Sequence, residues 1–329
     1  MSRQPEGTEH LELHDEFGQG GSKEMNAMRT IIAGGSGLIG RALTEDLTTD
    51  GHEVIILSRS PERVRGLPAG AQAVGWDGLT AEGWQEHVDG ADAIVNLAGT
   101  RIAPWPWTAD RKRQILESRV HAGEAVTQAI EAASKKPQVV VQASGVGFYG
   151  PRGDEAIDED TEAGDDFLAQ VCIAWEAATE PVEALGVRRV RARTGLVFSR
   201  AGGLLPLVSL PYRLLLGGPM GSGRQGYPWI HIADHVAAVR WLIDDESATG
   251  AFNLVAPQRT TNASMSRAMG QALGRPAFMT VPAFVLRLIL GEEATILLDG
   301  QHAVPARLQE QGYSFRFPTA EAALSDLFG

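Results

Sequence analysis

From Met28 onward, short apolar, β-prone runs alternate with longer stretches whose apolar positions recur at helical spacing. Strands are expected over 29–33, 53–58 (EVIILS), 72–76, 91–97 (ADAIVNL), 138–144 (QVVVQAS), 187–193 and 252–255 (FNLV). Helices are expected over 38–50, 109–134, 167–185 and 262–273. Apolar strands alternating with helices argue for an α/β fold: a parallel sheet buried on both faces. Beyond Gly274 the texture changes to short helical pieces around Pro282, Pro305 and Pro318. The expected organisation is a polar leader over 1–27, a main domain over 28–274 and a small carboxy-terminal domain over 275–329. The leader carries too little apolar surface to offset its ordering entropy, so disorder is expected there.

Composition narrows the class of function. The chain has 329 residues and a net charge of −12. That balance argues against a nucleic-acid partner, and it means that any anionic ligand must be held by local arginines. Cys172 is the single cysteine, which excludes an intrachain disulfide and a cysteine-based zinc site. A cytoplasmic setting is expected. No apolar run approaches the about 20 residues of a membrane span, so no membrane partner is expected either.

The sharpest motif is T-I-I-A-G-G-S-G-L-I-G, residues 30–40, between the first strand and the first helix. Gly34 permits a tight turn, Gly37 lets the backbone approach a phosphate, and Gly40 lets helix and strand pack closely. A pyrophosphate would lie on the helix N-terminus at Leu38 and Ile39, where free N–H groups favour negative charge. The second strand ends LSRS, with Ser58 and Arg59 where an NAD site places an acidic residue. A guanidinium grips a 2′-phosphate that a carboxylate would repel, and Ser36 adds a hydroxyl from the loop. The cofactor expected is therefore NADP(H). The bland alternative for Arg59 is a solvated surface charge.

These stretches together resemble the extended short-chain dehydrogenase/reductase superfamily, and most closely its atypical "epimerase family" branch with a short extra carboxy-terminal domain. The resemblance rests on GGSGLIG, LSR, NLAG (96–99), SRV (118–120), ASGVGFYG (143–150), WE (175–176), RTGLV (193–197) and GGPMGSGRQGYPWIHIADH (217–235). It implies a doubly wound, Rossmann-type parallel sheet with NADP(H) across its carboxyl edge, and a small carboxy-terminal appendage on the substrate side. It implies that Asn96, Leu97, Ala98 and Gly99 pass beside the ribose and nicotinamide. Arg119 and Arg193 meet cofactor or substrate oxygens by the same analogy; a helix-surface ion pair is the alternative for Arg119.

The chain departs from that family where the catalytic pair should be. A tyrosine and a lysine four residues apart are replaced by Cys172 and Glu176 in V-C-I-A-W-E. That spacing keeps both on one helix face, yet a glutamate raises a neighbour's pKa and a lysine lowers it. Ser144 matches the strand-end serine that polarises a substrate oxygen. Tyr149 stands in a loop and is a second candidate for acid–base duty. Cys172 has two readings, a site thiol or an inert core thiol.

His231 and His235 have metal-ligand spacing but no third ligand, so no metal is expected. The 217–226 loop lacks the ending of a P-loop and is expected to border the substrate cleft, with Arg224 toward an anionic ligand. The run 104–107 (PWPW) reads as a lid or as a packed turn. The expected function is an NADP(H)-dependent oxidoreductase or epimerase-like protein acting on a small carbonyl, alcohol or sugar-type substrate. Cys172, Glu176 or Tyr149 would then carry the proton. The alternative is a cofactor-binding sensor or partner-binding module without turnover. Reaction direction and homodimerisation stay open.

Overall fold

The computed structural model describes residues 27–102 and 106–329. The leader expected over 1–27 lies outside those residues apart from Ala27. Seven strands form the central sheet: β1 (Arg29–Ala33), β2 (Glu53–Ser58), β3 (Ala71–Gly75), β4 (Ala93–Asn96), β5 (Val139–Gly145), β6 (Arg188–Thr194) and β7 (Gly250–Leu254). Their order is β7-β6-β5-β4-β1-β2-β3, and every pairing is parallel. The helices that matter below are α1 (Leu38–Thr49), α2 (Ala109–Ala132), α3 (Phe167–Ala177), α4 (Leu205–Arg213), α5 (Ile232–Asp244) and α6 (Asn262–Leu273).

The pleat sends alternate residues of each strand to opposite faces. Ile32, Val54, Ile56, Val95 and Val141 pack with Leu43 and Leu47 of α1 and Val239 and Leu242 of α5. Ile31, Ile55, Leu57, Ile94 and Val140 pack on the other face with Ala122, Val126 and Ile130 of α2. Burying each such Val, Leu or Ile side chain stabilises the fold by about 1.5–3 kcal/mol. Because both faces are covered, these strands read as continuous apolar runs in the sequence. The sheet order reverses between β1 and β4, so their carboxyl ends open a crevice.

Local signals place the helix ends. The Thr108 and Asp166 side chains accept backbone N–H bonds at the starts of α2 and α3. Thr261 and Ser264 form a reciprocal cap on α6, which stops at Gly274 with φ of +60°. The helix expected over 167–185 is instead two pieces. The first ends at Ala177, and a 3-10 segment, Glu180–Leu185, follows. Pro181 has no N–H to continue the ladder, and its ring crowds the preceding turn.

A small three-stranded sheet of Leu196–Ser199, Gly202–Gly203 and Trp229–His231 was not expected. The carboxy-terminal segment is tied to the main domain. Leu308 enters the core on the α1–α5 face. His302–Ala303 pairs in parallel with Ala156–Ile157, and the Asp234 carboxylate accepts the N–H groups of Arg316 and Phe317 at 2.7 and 2.8 Å.

Candidate functional site

The glycine loop fills the crevice between β1 and β4. Gly34 has φ of +79°, and a Cβ there would sit 3.0 Å from Leu97 and Ala98 backbone atoms. A Cβ on Gly40 would come within 2.5 Å of the Gly35 Cα. Both glycines are therefore forced by close approach, Gly34 against the β4 loop and Gly40 against the strand-to-helix turn. Gly37 is different: its nearest neighbour would be the Gly34 carbonyl at 3.3 Å, so its outer side is open. It caps α1 without any side-chain bond. The amides of Leu38 and Ile39 thus open the helix with no protein side chain across them. Ser36 is exposed beside them.

Arg59, at the end of β2, is exposed. The Ser58 hydroxyl accepts the Ser60 N–H at 3.2 Å. Arg41 was not singled out from the sequence, though it directly follows the third glycine. Its guanidinium donates to the carbonyls of Ser36 and Arg65, both at 3.0 Å. It braces the glycine loop against the segment after β2.

On the opposite side, Asn96 is fully buried and works on the protein itself. Its amide donates to Gln142 at 2.9 Å and its oxygen accepts the Ala98 N–H at 3.2 Å. That fixes the course of Leu97–Gly99. The Ser118 hydroxyl accepts the Thr100 N–H at 3.0 Å and holds the next residue. A Cβ on Gly99 would lie 3.1 Å from the Arg119 Cζ, so glycine gives this side chain room to pass without shifting. Arg119 is 6% exposed. It donates to the carbonyls of Thr100 and Ile115, lies 4.7 Å over the Trp175 ring, and leaves its Nε without a partner among the described residues. Burial lowers its pKa to about 10, which keeps it cationic near neutral pH.

Ser144 and Cys172 come together at the end of β5. The Ser144 hydroxyl is buried and makes no well-formed hydrogen bond among the described residues, with the Cys172 thiol beside it. The Cys172 thiol points across from α3 and donates to the Gly145 carbonyl at 3.6 Å. Burial, with Glu176 adding to it, pushes the thiol up to about 11.

Tyr149, Glu176 and Arg193 form a separate buried network. Tyr149 has no exposed surface; its hydroxyl donates to Asn253 at 2.7 Å and accepts from Arg193 at 3.1 Å. Burial pushes its hydroxyl up to about 12. Glu176 and Arg193 make a two-pronged ion pair at 2.9 and 3.0 Å, and the guanidinium lies 3.5 Å from the Phe148 ring centroid. Cys172 and Glu176 share α3 as expected, but only Cys172 joins Ser144. Arg193, expected beside the cofactor, spends its donors on Glu176, Tyr149 and the Glu159 carbonyl. Asn253 was not anticipated; nothing in the strand pattern of FNLV marks it.

His231 ends a strand and caps α5, accepting the Ala233 N–H, while His235 meets Thr194 at 3.1 Å. Among the described residues no group of three His, Cys, Asp or Glu side chains is arranged to hold a metal. Arg224 lines a small hollow with Asp154, Gln225 and Asp299. Pro104 and Trp105 lie outside the described residues; Trp107 packs edge-on against Phe167 at 5.1 Å.

Residues 30–254 match the NAD dependent epimerase/dehydratase family, and residues 281–327 match a domain of unknown function, DUF1731. The Bos taurus epimerase family protein SDR39U1 is 40% identical over 305 residues, spanning 91% of this chain and 99% of its own. The Bacillus subtilis epimerase family protein YfhF is 35% identical over 303 residues, spanning 91% and 98%. The crystal structure of human SDR39U1 (isoform 2) with NADPH superposes with a TM-score of 0.82 at 38% identity, spanning 91% and 99%. A Bacillus cereus UDP-N-acetylglucosamine 4-epimerase, 15% identical with a TM-score of 0.72, shares the fold alone. The resemblance read from the motifs is borne out, and the chain belongs to the NAD dependent epimerase/dehydratase family, with a DUF1731 segment at its carboxyl end.

Proposed function

We propose that this chain binds NADP(H) along the carboxyl edge of its sheet and acts as an oxidoreductase or epimerase-like protein on a small carbonyl, alcohol or sugar-type substrate. The residues fit such a cofactor. The uncapped start of α1 and the open side of Gly37 suit a pyrophosphate, and exposed Arg59 and Ser36 suit a 2′-phosphate. The NADPH in the human relative supports the same choice.

The buried hydroxyl of Ser144, which makes no well-formed hydrogen bond and has the Cys172 thiol beside it, carries the catalytic reading. A buried hydroxyl without a bond costs free energy unless a ligand satisfies it. It is suited to donate to a substrate oxygen beyond the strand end. Bound NADPH supplies a hydride for a carbonyl carbon. The Cys172 thiol keeps its proton up to about pH 11, so it is a donor near neutrality and not a base. Arg119 adds positive charge on the same side, where an oxyanion would develop. A site with donors and no ready base favours carbonyl reduction over alcohol oxidation.

A second reading is a cofactor-binding module without turnover. It is favoured by the fate of Tyr149 and Glu176, both engaged in buried bonds. NADPH consumption with a panel of small aldehydes, ketones and keto-sugars separates the two. Turnover that falls about a hundredfold or more in Ser144→Ala, with NADPH affinity unchanged, supports the enzyme. Tight NADPH binding with no consumption supports the module. Failure to bind NADPH overturns both.

A further inference from the structure

The helix Ala283–Leu290 reads AFVLRLIL, apolar at seven of its eight positions, and none of its residues is buried. A helix of a globular domain ordinarily turns its apolar stripe to the core. Here Phe284 and Leu288 are 70% and 84% exposed.

The backbone extends this face. Met279 donates to the Gly217 carbonyl and Val281 to the Pro219 carbonyl, both at 3.0 Å. That pairing joins the segment that carries exposed Phe278 to the one that follows the exposed Leu214–Leu215–Leu216 turn. Leu215 has φ of +63° and is the one non-glycine residue with positive φ among the described residues. Such a conformation is costly for leucine, and here it keeps a run of three leucines at the surface.

The charge of this region is opposite to that of the chain as far as Gly291, where buried Glu293 and an exposed Glu292 paired with Lys112 follow. Residues 204–218 and 262–291 contain Arg213, Arg267, Arg275 and Arg287 and no Asp, Glu or Lys, in a protein of net charge −12. All four arginines are exposed. None has an ion-pair partner among the described residues. A second copy docked by a two-fold axis would present the same patch to itself and set arginines against arginines. An anionic lipid surface satisfies both features at once: protruding apolar side chains enter the acyl boundary while guanidiniums meet the phosphates.

We infer that this face, centred on Ala283–Leu290, docks the protein on an anionic bilayer surface. No helix of the described residues is long and apolar enough to cross a membrane, so the contact lies in the plane of the surface.

Vesicle flotation of the full chain tests it. Binding is expected to vesicles of phosphatidylcholine mixed with phosphatidylglycerol, falling as salt is raised, and not to phosphatidylcholine alone. Leu288→Asp and Arg287→Glu should each cut the bound fraction about tenfold, reversing one apolar or one electrostatic contribution. Both positions are exposed, so both variants should melt at the wild-type temperature. Four results would overturn the inference: no flotation with the mixed vesicles; equal binding to both vesicle types; a dimer in light scattering that Leu288→Asp disperses; or binding that appears only once residues 1–26 are removed, which would show that the chain's own acidic segment covers the face.

Discussion

Arg193 holds both carboxylate oxygens of Glu176, Nε to Oε1 at 2.9 Å and Nη2 to Oε2 at 3.0 Å, in a pair about 95% removed from solvent. By the motif resemblance, Glu176 stands where the family carries a lysine. It is answered by an arginine from β6, and the pair ties α3 to the sheet.

The first prediction concerns that pair. Removing one member strands a buried charge, which costs about 3–5 kcal/mol. Glu176→Ala should lose that much stability in urea unfolding. Replacing both residues, as Glu176→Gln with Arg193→Met, should recover a large part. NADPH affinity should survive Glu176→Gln. An alanine variant as stable as the wild type would mean that the pair does not form in solution.

Cofactor choice gives the second. A charge-assisted bond contributes about 1.5–3 kcal/mol, or one to two decades in affinity. NADPH should bind at least about tenfold more tightly than NADH, and Arg59→Ala should remove most of that gap while sparing NADH. Titration by quenching of tryptophan fluorescence measures both. Equal affinities in the wild type would sink the assignment.

The third concerns Cys172. With its pKa pushed up to about 11, chiefly by burial, the thiol should be almost unreactive near neutrality. The thiolate fraction at pH 8 is about one in a thousand. Alkylation by iodoacetamide should therefore rise about tenfold per pH unit up to pH 10. A rate that levels off below pH 9 would show a thiolate stabilised by Arg119 and restore Cys172 as a candidate base.

Acid stability provides the fourth. Burial lowers the pKa of His235 to about 4 from an ordinary 6.5, so the folded protein binds this proton less well than the unfolded chain. The contribution is present above pH 6.5 and is lost as pH falls through about 4, by about 3 kcal/mol in all. The stability difference between wild type and His235→Gln should shrink by about that amount from pH 7 to pH 4. A difference independent of pH would mean that His235 titrates alike in the folded and the unfolded chain.

The elements most legible in the sequence are those whose cause is local. Gly34 has the positive φ of its tight turn, Gly40 packs on the Gly35 backbone of the same turn, and the capped boundaries of α6 are set by Thr261 and Gly274. The parallel sheet was legible because strands buried on both faces must be apolar throughout. Pro181 was visible too, but a helical apolar pattern on either side of it concealed the break.

What Cys172, Tyr149, Glu176 and Arg193 do was decided only by the tertiary structure. Glu176 and Arg193 are 17 residues apart, and Tyr149 and Asn253 are 104 apart. Their meetings depend on the register of β5, β6 and β7 and on how α3 seats against them. By itself, the sequence determined that a dinucleotide-type loop opens a doubly wound sheet, since backbone geometry and burial periodicity are properties of neighbouring residues. Whether a carboxylate four residues from a thiol faces the cleft or an arginine, and whether an apolar helix is covered or bare, depends on which distant surfaces are brought into contact. Burial then decides the chemistry: with water excluded, the Cys172 thiol is pushed up to about 11 and keeps its proton near neutrality.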